Sequence, residues 1–525
     1  MAILAGPAAS GAHGRLANAN SPGLRVQSMR QVLRLRPSEV DLATAALIIS
    51  ERWSDMVYGR RCLDELDDMA SEIQARLREA KLRPNFRAIP IINNYLFREL
   101  GFRAVSEVDD PNDLFLHTVL DKRRGYCLSL SVLYLSIGER LGMPVHGVVV
   151  PGHFFVRYDD GRSRINVETV AGGSTPSDDY YIEKYSVPPG RRDGIYMKNL
   201  DKIQTLGCFF NNLGIVYSDV GNNDYALETL LLAVELNPVL SESRSSLGNA
   251  YLRAGRIADA IYQYEKALEI NPNEAKTHNN LGNAYTERGW TNYAISEYLA
   301  AIELDPELLD ARKNLARAYS SQRRYRQALS LLKGVVSRHP DDADCFGQMG
   351  DIYQRMGDCD RAVAQYEKAV DLNPALVQAH CRLAQCYNKL GMQKEEIEAY
   401  RTALSYHPDV LMALVNLGNV YFQQKQYDDA LELYKKAAGV QPDDASIRYN
   451  IGAAYFNQGL YEEATDAYRE AVALNPKLAD AHYGLAVGLY NLGQYRQAWE
   501  HINAAKRLGA NVTEEQLEAI KRKAR

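Results

Sequence analysis

Tryptophan is scarce in this chain, 3 residues in 525, and the 7 cysteines are too few and odd in number for a disulfide framework. They lie scattered at Cys62, Cys127, Cys208, Cys345, Cys359, Cys381 and Cys386, a pattern that favours a reducing compartment, the cytoplasm, over a secreted scaffold. An excess of basic charge is also missing. Lys and Arg number 61 against 66 Asp and Glu, a net charge of -5, so the pull that draws basic proteins onto nucleic acid is absent and no nucleic-acid partner is expected. The longest apolar run, GVVVPGHFFV, is too short to cross a bilayer and is broken by Pro151 and His153, so no membrane insertion is expected. The first 38 residues lack Asp and Glu, carry Arg15, Arg25, Arg30, Arg34 and Arg36, and are rich in Ala, Gly and Ser. A disordered tail over 1–37 is expected, organelle import being the other use of such a composition; a secretory signal would need a basic residue before the short AILAG. No phosphate loop is completed, since GGSTPS near residue 172 has no Lys-Ser after it. Cys381 and Cys386, beside His380, fall on different faces of a helix, so neither a metal nor a cofactor is expected.

What the chain does have is a proline every 34 residues, at Pro238, Pro272, Pro306, Pro340, Pro374, Pro408, Pro442 and Pro476. A period of this length means stacked helical hairpins. The register extends to a Leu-Gly or similar pair 25 residues before each proline, as at Leu281-Gly282, and a tyrosine four residues after the leucine, as at Tyr285. It extends also to a small residue at Ala226, Ala260, Ala294, Ala328, Ala362, Ala430, Ala464 and Ala498. Small residues let helices approach, Tyr and Leu fill the space between them, and proline stops the second helix. Glu396 occupies one small-residue slot, where a carboxylate should loosen or bend the stack between 377 and 410 unless its side chain reaches solvent. These motifs resemble the tetratricopeptide repeat family. Nine repeats are expected over 207–512, then a polar capping helix over 513–525 that starts at Thr513.

Residues 38–200 follow a different grammar. Three helical segments come first, through LATAALIISERW, LDELDDMASEIQARLREA and IPIINNYLFRELG. Then CLSLSVLYLSIGERLG, introduced by Gly125, is apolar on nearly every face and reads as a buried helix headed by Cys127. MPVHGVVVPGHFFVRY and RSRINVETV read as β-structure around the turn Asp159-Asp160-Gly161. A cysteine at a helix N-terminus, a histidine on a strand and a carboxylate on the next give the order of a papain-like or transglutaminase-like core. Cys127 would be the nucleophile, favoured as thiolate by the helix end. His153 would be the base and Glu168 the group that fixes its tautomer, with Asn166, two residues earlier, as the alternative. Amides at the helix start could form an oxyanion hole. His117 and His146 read as structural or surface residues.

The segment RRGYCLSLSVLYLSIGERLGMPVHGVVVPGHFFVRY, with NVETVAGG, NNYLFRELGF and MKNLDKIQ, resembles the SirB-type, transglutaminase-like domain, over about 40–200. The resemblance implies the nucleophile on Cys127, the base on His153 and the acid on Glu168. Members often lack the cysteine, so its presence implies retained chemistry, and Glu168 stands where Asp is common. The fold expected is an α+β papain or transglutaminase-like domain followed by an all-α tetratricopeptide solenoid.

The first helix of each repeat should line a concave face. One column there carries Asn212, Asn280, Asn314, Asn416 and Asn450, and a neighbouring one Asn249, Asn283 and Asn419. Side-chain amides both donate and accept, so such columns can hold the backbone of an extended peptide; the arrangement resembles the asparagine ladder of the O-linked N-acetylglucosamine transferase repeats. Towards the C-terminus Phe422, Phe456 and Tyr490 offer aromatic anchors. The expected function is a protein-interaction scaffold whose groove holds a protein or peptide and whose first domain is a cysteine-dependent amide or peptide hydrolase or acyltransferase. The alternative is an adaptor in which both domains only bind. Oligomeric state is left open.

Overall fold

The structure, a computed structural model, describes residues 31, 34–53, 59–105, 111–185, 187 and 195–524. Most of the expected tail, and 188–194 of the joint before the repeats, lie outside them. The chain divides into two compact units, Met1–Ala311 and Arg312–Arg525.

The first unit is organised around the helix Cys127–Arg140, whose residues from Leu128 to Gly138 are all buried. A helix apolar on every side needs cover on every side. Helices Leu42–Trp53, Gly59–Glu79 and Leu116–Lys122 pack against it, as do strands β3 (Val145–Val150) and β4 (His153–Asp159). Gly138 allows the closest approach, for a Cβ there would lie 2.3 Å from Val145 Cγ2. Strands β3, β4 and β5 (Arg164–Val167) form an antiparallel sheet in that order. The stretch from Val145 to Asp159 is a hairpin turned at Pro151-Gly152, with Gly152 at φ +69° as the second turn residue requires. Arg103–Ala104 (β1) pairs in parallel with Arg124–Gly125 (β2), which holds the residues before Cys127 extended.

The chain entering the repeats is tied to the free edge of β3. Leu200 N donates to Gly147 O at 2.8 Å, and Met197 N to Val149 O at 3.1 Å. Helix Lys202–Asp219 then packs on both β3 and the cysteine helix. A side chain on Gly147 would meet Phe154 at 2.3 Å and Thr205 Oγ1 at 3.0 Å, so glycine permits this contact. Buried Arg157 locks the same region: it donates to Asn166 Oδ1 at 2.8 Å, Met197 O at 2.7 Å and Asp178 Oδ1 at 2.6 Å.

Nine helix pairs follow among the described residues, from Lys202–Asp219 with Asn223–Leu236 to Ala479–Asn491 with Tyr495–Arg507, and then Glu514–Ala524. The eight small-slot alanines are all 0% exposed. The Leu-Gly glycine has a specific packing reason. In Gly248, Gly282, Gly350 and Gly418 a Cβ would fall 2.5 to 2.6 Å from the ring of Tyr264, Tyr298, Tyr366 or Tyr434 on the second helix. The prolines leave a carbonyl that neighbouring units use: His278, His380 and His482 each place Nε2 about 3 Å from the carbonyl of Pro272, Pro374 and Pro476.

Glu396 does not reach solvent. Its side chain stays inside, both oxygens 3.1 Å from Asn388 Nδ2, and both helices of that unit run full length and pack on each other. The amide of Asn388 supplies the donor that the expected loosening assumed to be missing. Burial nevertheless raises the Glu396 carboxyl above its ordinary value, partly offset by Asn388.

Two outcomes follow. Gly282→Ala should destabilise the fold by about 1–3 kcal/mol in urea unfolding, and an unchanged midpoint would mean that the Tyr298 ring moves freely. A carboxyl raised in the folded state loses stability as pH rises through the carboxylate range. The native chain should therefore fall behind Glu396→Gln with increasing pH from about 4 upward; a stability gap independent of pH would contradict this.

Candidate functional site

Cys127 is the first residue of its helix, and the backbone before it is fixed tightly. Tyr126 is extended, its N–H donates to Ser129 Oγ at 2.8 Å, and a Cβ on Gly125 would lie 2.7 Å from that oxygen. Cys127 stands where a helix start leaves backbone amides without intrahelical carbonyl partners. His153 is the first residue of β4, delivered by the Pro151-Gly152 turn, and its Nε2 lies 2.8 Å from Glu168 Oε2. The Cys127 thiol is a further hydrogen-bond partner of the imidazole. With Nε2 on the carboxylate, Nδ1 is left for the sulfur. The three residues named from the sequence are thus in contact, in the order thiol, imidazole, carboxylate.

Glu168 lies one residue beyond β5, as the N-cap of the short turn Thr169–Ala171, and is buried. Its Oε2 also accepts from Tyr181 OH at 3.0 Å. The turn after it is stapled to the cysteine helix: Thr169 Oγ1 donates to Cys127 O at 3.3 Å and meets Ser131 Oγ at 3.1 Å. Asn93 holds the far side, donating to Gly173 O while accepting from Tyr134 OH. Asn166, the alternative partner for the imidazole, is ruled out by its surroundings. Its oxygen takes Arg157 Nε and its amide donates to Pro176 O and Asp178 Oδ1. β5 ends at Val167 and the chain turns at Glu168, so the two residues meet different surroundings.

Burial works against charge on His153, but the hydrogen bonds and charges of Cys127 and Glu168 outweigh it and lift the imidazole to about 9. The ring is also stacked: Tyr185 lies on it at 4.6 Å with 2° between planes, and Tyr181 is 6.3 Å away. Cys127 and His153 open into a cleft of about 370 Å³ whose other wall is built by the first three repeats, including Asn212, Asn249 and Asn280.

The Transglutaminase-like superfamily matches residues 60–191, and the TPR repeat and Tetratricopeptide repeat families match segments between 248 and 478. A UPF0162 protein of Xylella fastidiosa (strain Temecula1) is 30% identical over 233 residues, 42% of this chain and 80% of the relative. The chain belongs to the UPF0162 family. A second UPF0162 protein, from Pseudomonas aeruginosa, is 26% identical over 214 residues, covering 40% of this chain and 77% of the relative. Among solved structures, MamA from Desulfovibrio magneticus RS-1 is 22% identical with a TM-score of 0.30, over 32% of this chain and 94% of that one. This UPF0162 chain thus joins a transglutaminase-like, SirB-type α/β domain to a tetratricopeptide solenoid, a scaffold for binding protein partners. Among the described residues, no helix is long and apolar enough to cross a membrane.

The asparagine columns of the UPF0162 chain are not uniform. Asn249, Asn283 and Asn419 accept the hydroxyls of Tyr264, Tyr298 and Tyr434 at 2.6 to 2.8 Å, so their oxygens brace the repeat. Asn280 donates to Asn249 at 3.0 Å, Asn416 bonds Tyr400, and Asn314 accepts from Arg317 at 3.3 Å. Asn450 is half-buried. Phe422, Phe456 and Tyr490 each lean on the first tyrosine of the following helix, Tyr427, Tyr461 and Tyr495, at 5.3 to 5.5 Å. Tyr181 and Tyr185 were missed from the sequence, although their spacing of four within DDYYIEKY puts both on one helical face.

His153 should titrate with a midpoint near 9 in histidine-resolved NMR. Glu168→Gln should lower that midpoint, since it removes a favourable charge and leaves the burial penalty. The His153 interaction stabilises fully below its ordinary pKa of about 6.5 and is lost as pH rises through about 9. A midpoint at or below the ordinary value in both proteins would contradict the described contacts.

Proposed function

We propose that this chain is a protein-interaction scaffold that presents a bound peptide to a cysteine-dependent amidase, peptidase or acyltransferase site. The observation that carries the reading is the shared cleft, in which Cys127 and His153 face the first helices of the first three repeats. A segment held along Asn212 and Asn280 would have its reacting carbonyl within reach of the thiol. In the second unit, Asn314, Asn416 and Asn450, with the aromatic column of Phe422, Phe456 and Tyr490, would offer partner contacts of their own.

In this mechanism the Cys127 proton passes to His153 and the sulfur adds to the carbonyl carbon. The new oxyanion is met by N–H groups at the helix start. His153 returns the proton to the departing amine, leaving a thioester on Cys127, and water or a second amine then takes the acyl group. Glu168 holds the imidazole in orientation and stabilises its charged form, and the Tyr185 ring shields that pair from water. All cysteines are free thiols, which suits the reducing cytoplasm.

The test is alkylation. Burial lifts Cys62 and Cys381 to about 11 and Cys208, Cys345 and Cys386 to about 12, so these thiols are inert at neutral pH. Iodoacetamide should label Cys127 first, and below neutral pH, in peptide mass spectrometry, and His153→Ala should slow it by at least tenfold, on the order of the 10²–10⁴ that a positioned base supplies. Slow labelling that is indifferent to His153 would instead favour an adaptor that binds without catalysis.

A further inference from the structure

Beyond the thiol, the same cleft is lined by two carboxylates from the repeats, Glu242 and Glu274, and by Asn211. None of the three belongs to the triad or to the asparagine columns. Asn211 is 6% exposed, yet its Oδ1 has no hydrogen-bond partner, and in half-buried Glu274, whose carboxyl is bonded by Thr277 and Ser241, the Oε2 atom is likewise shut off from solvent and unpartnered. Buried acceptors without donors are uncommon and costly. Glu242 is anchored instead, accepting from Tyr196 OH on Oε1 and from Ser241 Oγ on Oε2 at 3.1 Å. Lys276 lines the cleft too, but among the described residues it is ion-paired with neither carboxylate.

We propose that Glu242, Glu274 and Asn211 form a subsite for the basic side chain, lysine or arginine, of a peptide whose acyl group is offered to Cys127. The inference rests on the nucleophilic reading of that thiol and adds the class of substrate. The vacant groups are all acceptors, so the matching ligand is rich in N–H donors; an ammonium has three and a guanidinium five, with no acceptor on either. Charge points the same way. Burial raises both carboxyls, and the charge of Glu242 helps bring Glu274 to about 7, a repulsion that a bound cation relieves. Among the described residues neither carboxyl is in a salt bridge, and His278, whose charge lowers Glu274, is itself paired with Glu297 at 2.7 Å.

The experiment compares two thiol-directed probes on the full chain, chloroacetyl-lysine amide and chloroacetyl-norleucine amide. Each forms a C–S bond at Cys127 and expels chloride, so they differ only in the side chain offered to the cleft. Labelling rates at Cys127 are read by peptide mass spectrometry. The lysine probe should react roughly tenfold faster, the effect of one well-placed charged hydrogen bond. The ratio should shrink in Glu274→Gln and approach one in the Glu242→Gln, Glu274→Gln double variant. A ratio near one in the native chain, or one that persists in both variants, overturns the proposal. The ratio is independent of the absolute rate, so a sluggish thiol, which counts against the nucleophile, still leaves the selectivity readable.

Discussion

Burial of the Cys127–Arg140 helix on all sides is the constraint from which the first unit follows. With Leu128 through Gly138 withdrawn from water, three helices must cover one part of the surface, two strands another and the first repeat helix a third. The two ends of the helix are the parts left partly open, and Cys127 occupies the N-terminal one. The strand order then brings His153 to that end, because the β3–β4 turn sits where the hairpin reverses beside the thiol. Glu168 arrives by the termination of β5, in a turn that Thr169 and Asn93 pin in place. Hydrophobic burial thus sets the frame, and a small number of polar staples set the positions of the reacting groups.

The same frame explains why repeats stand beside the nucleophile. Leu200 and Met197 extend the edge of β3, and Gly147 is bare enough for helix Lys202–Asp219 to sit on that sheet. The first repeat is therefore as much a cover for the α/β domain as the start of a solenoid. Glycine plays one physical part in both regions: it gives up a side chain so that a ring or helix can come closer, at Gly138 and Gly147 in one and at Gly248 and Gly282 in the other. Tyr264, Tyr298, Tyr366 and Tyr434 also reach across to an asparagine or aspartate on the first helix, as Tyr366 does to Asp351 at 2.6 Å.

Periodic and local features were legible in the sequence. The 34-residue rhythm, the buried cysteine helix and the order cysteine, histidine, carboxylate each leave a mark along the chain. What was not legible depends on contacts between distant segments. Asn166 and Glu168 both looked able to face the histidine, and only the end of β5 and the buried Arg157 separate them. The asparagine columns looked able to hold a peptide backbone, but the tyrosines opposite Asn249, Asn283 and Asn419 turn their oxygens inward. Glu396 looked disruptive because its donor, Asn388, lies on the preceding helix. The cleft itself joins residues from 127 to 280, a span that no repeat period records.

The central claim is that the thiol opens onto the first repeats, and proximity measures it most directly. Cys127 of the full chain, alkylated with a short maleimide-benzophenone and irradiated, should cross-link to peptides that carry Asn212, Asn249 or Asn280. Cross-links confined to the transglutaminase-like domain would contradict the account, because the nucleophile would then face away from the groove that is meant to feed it.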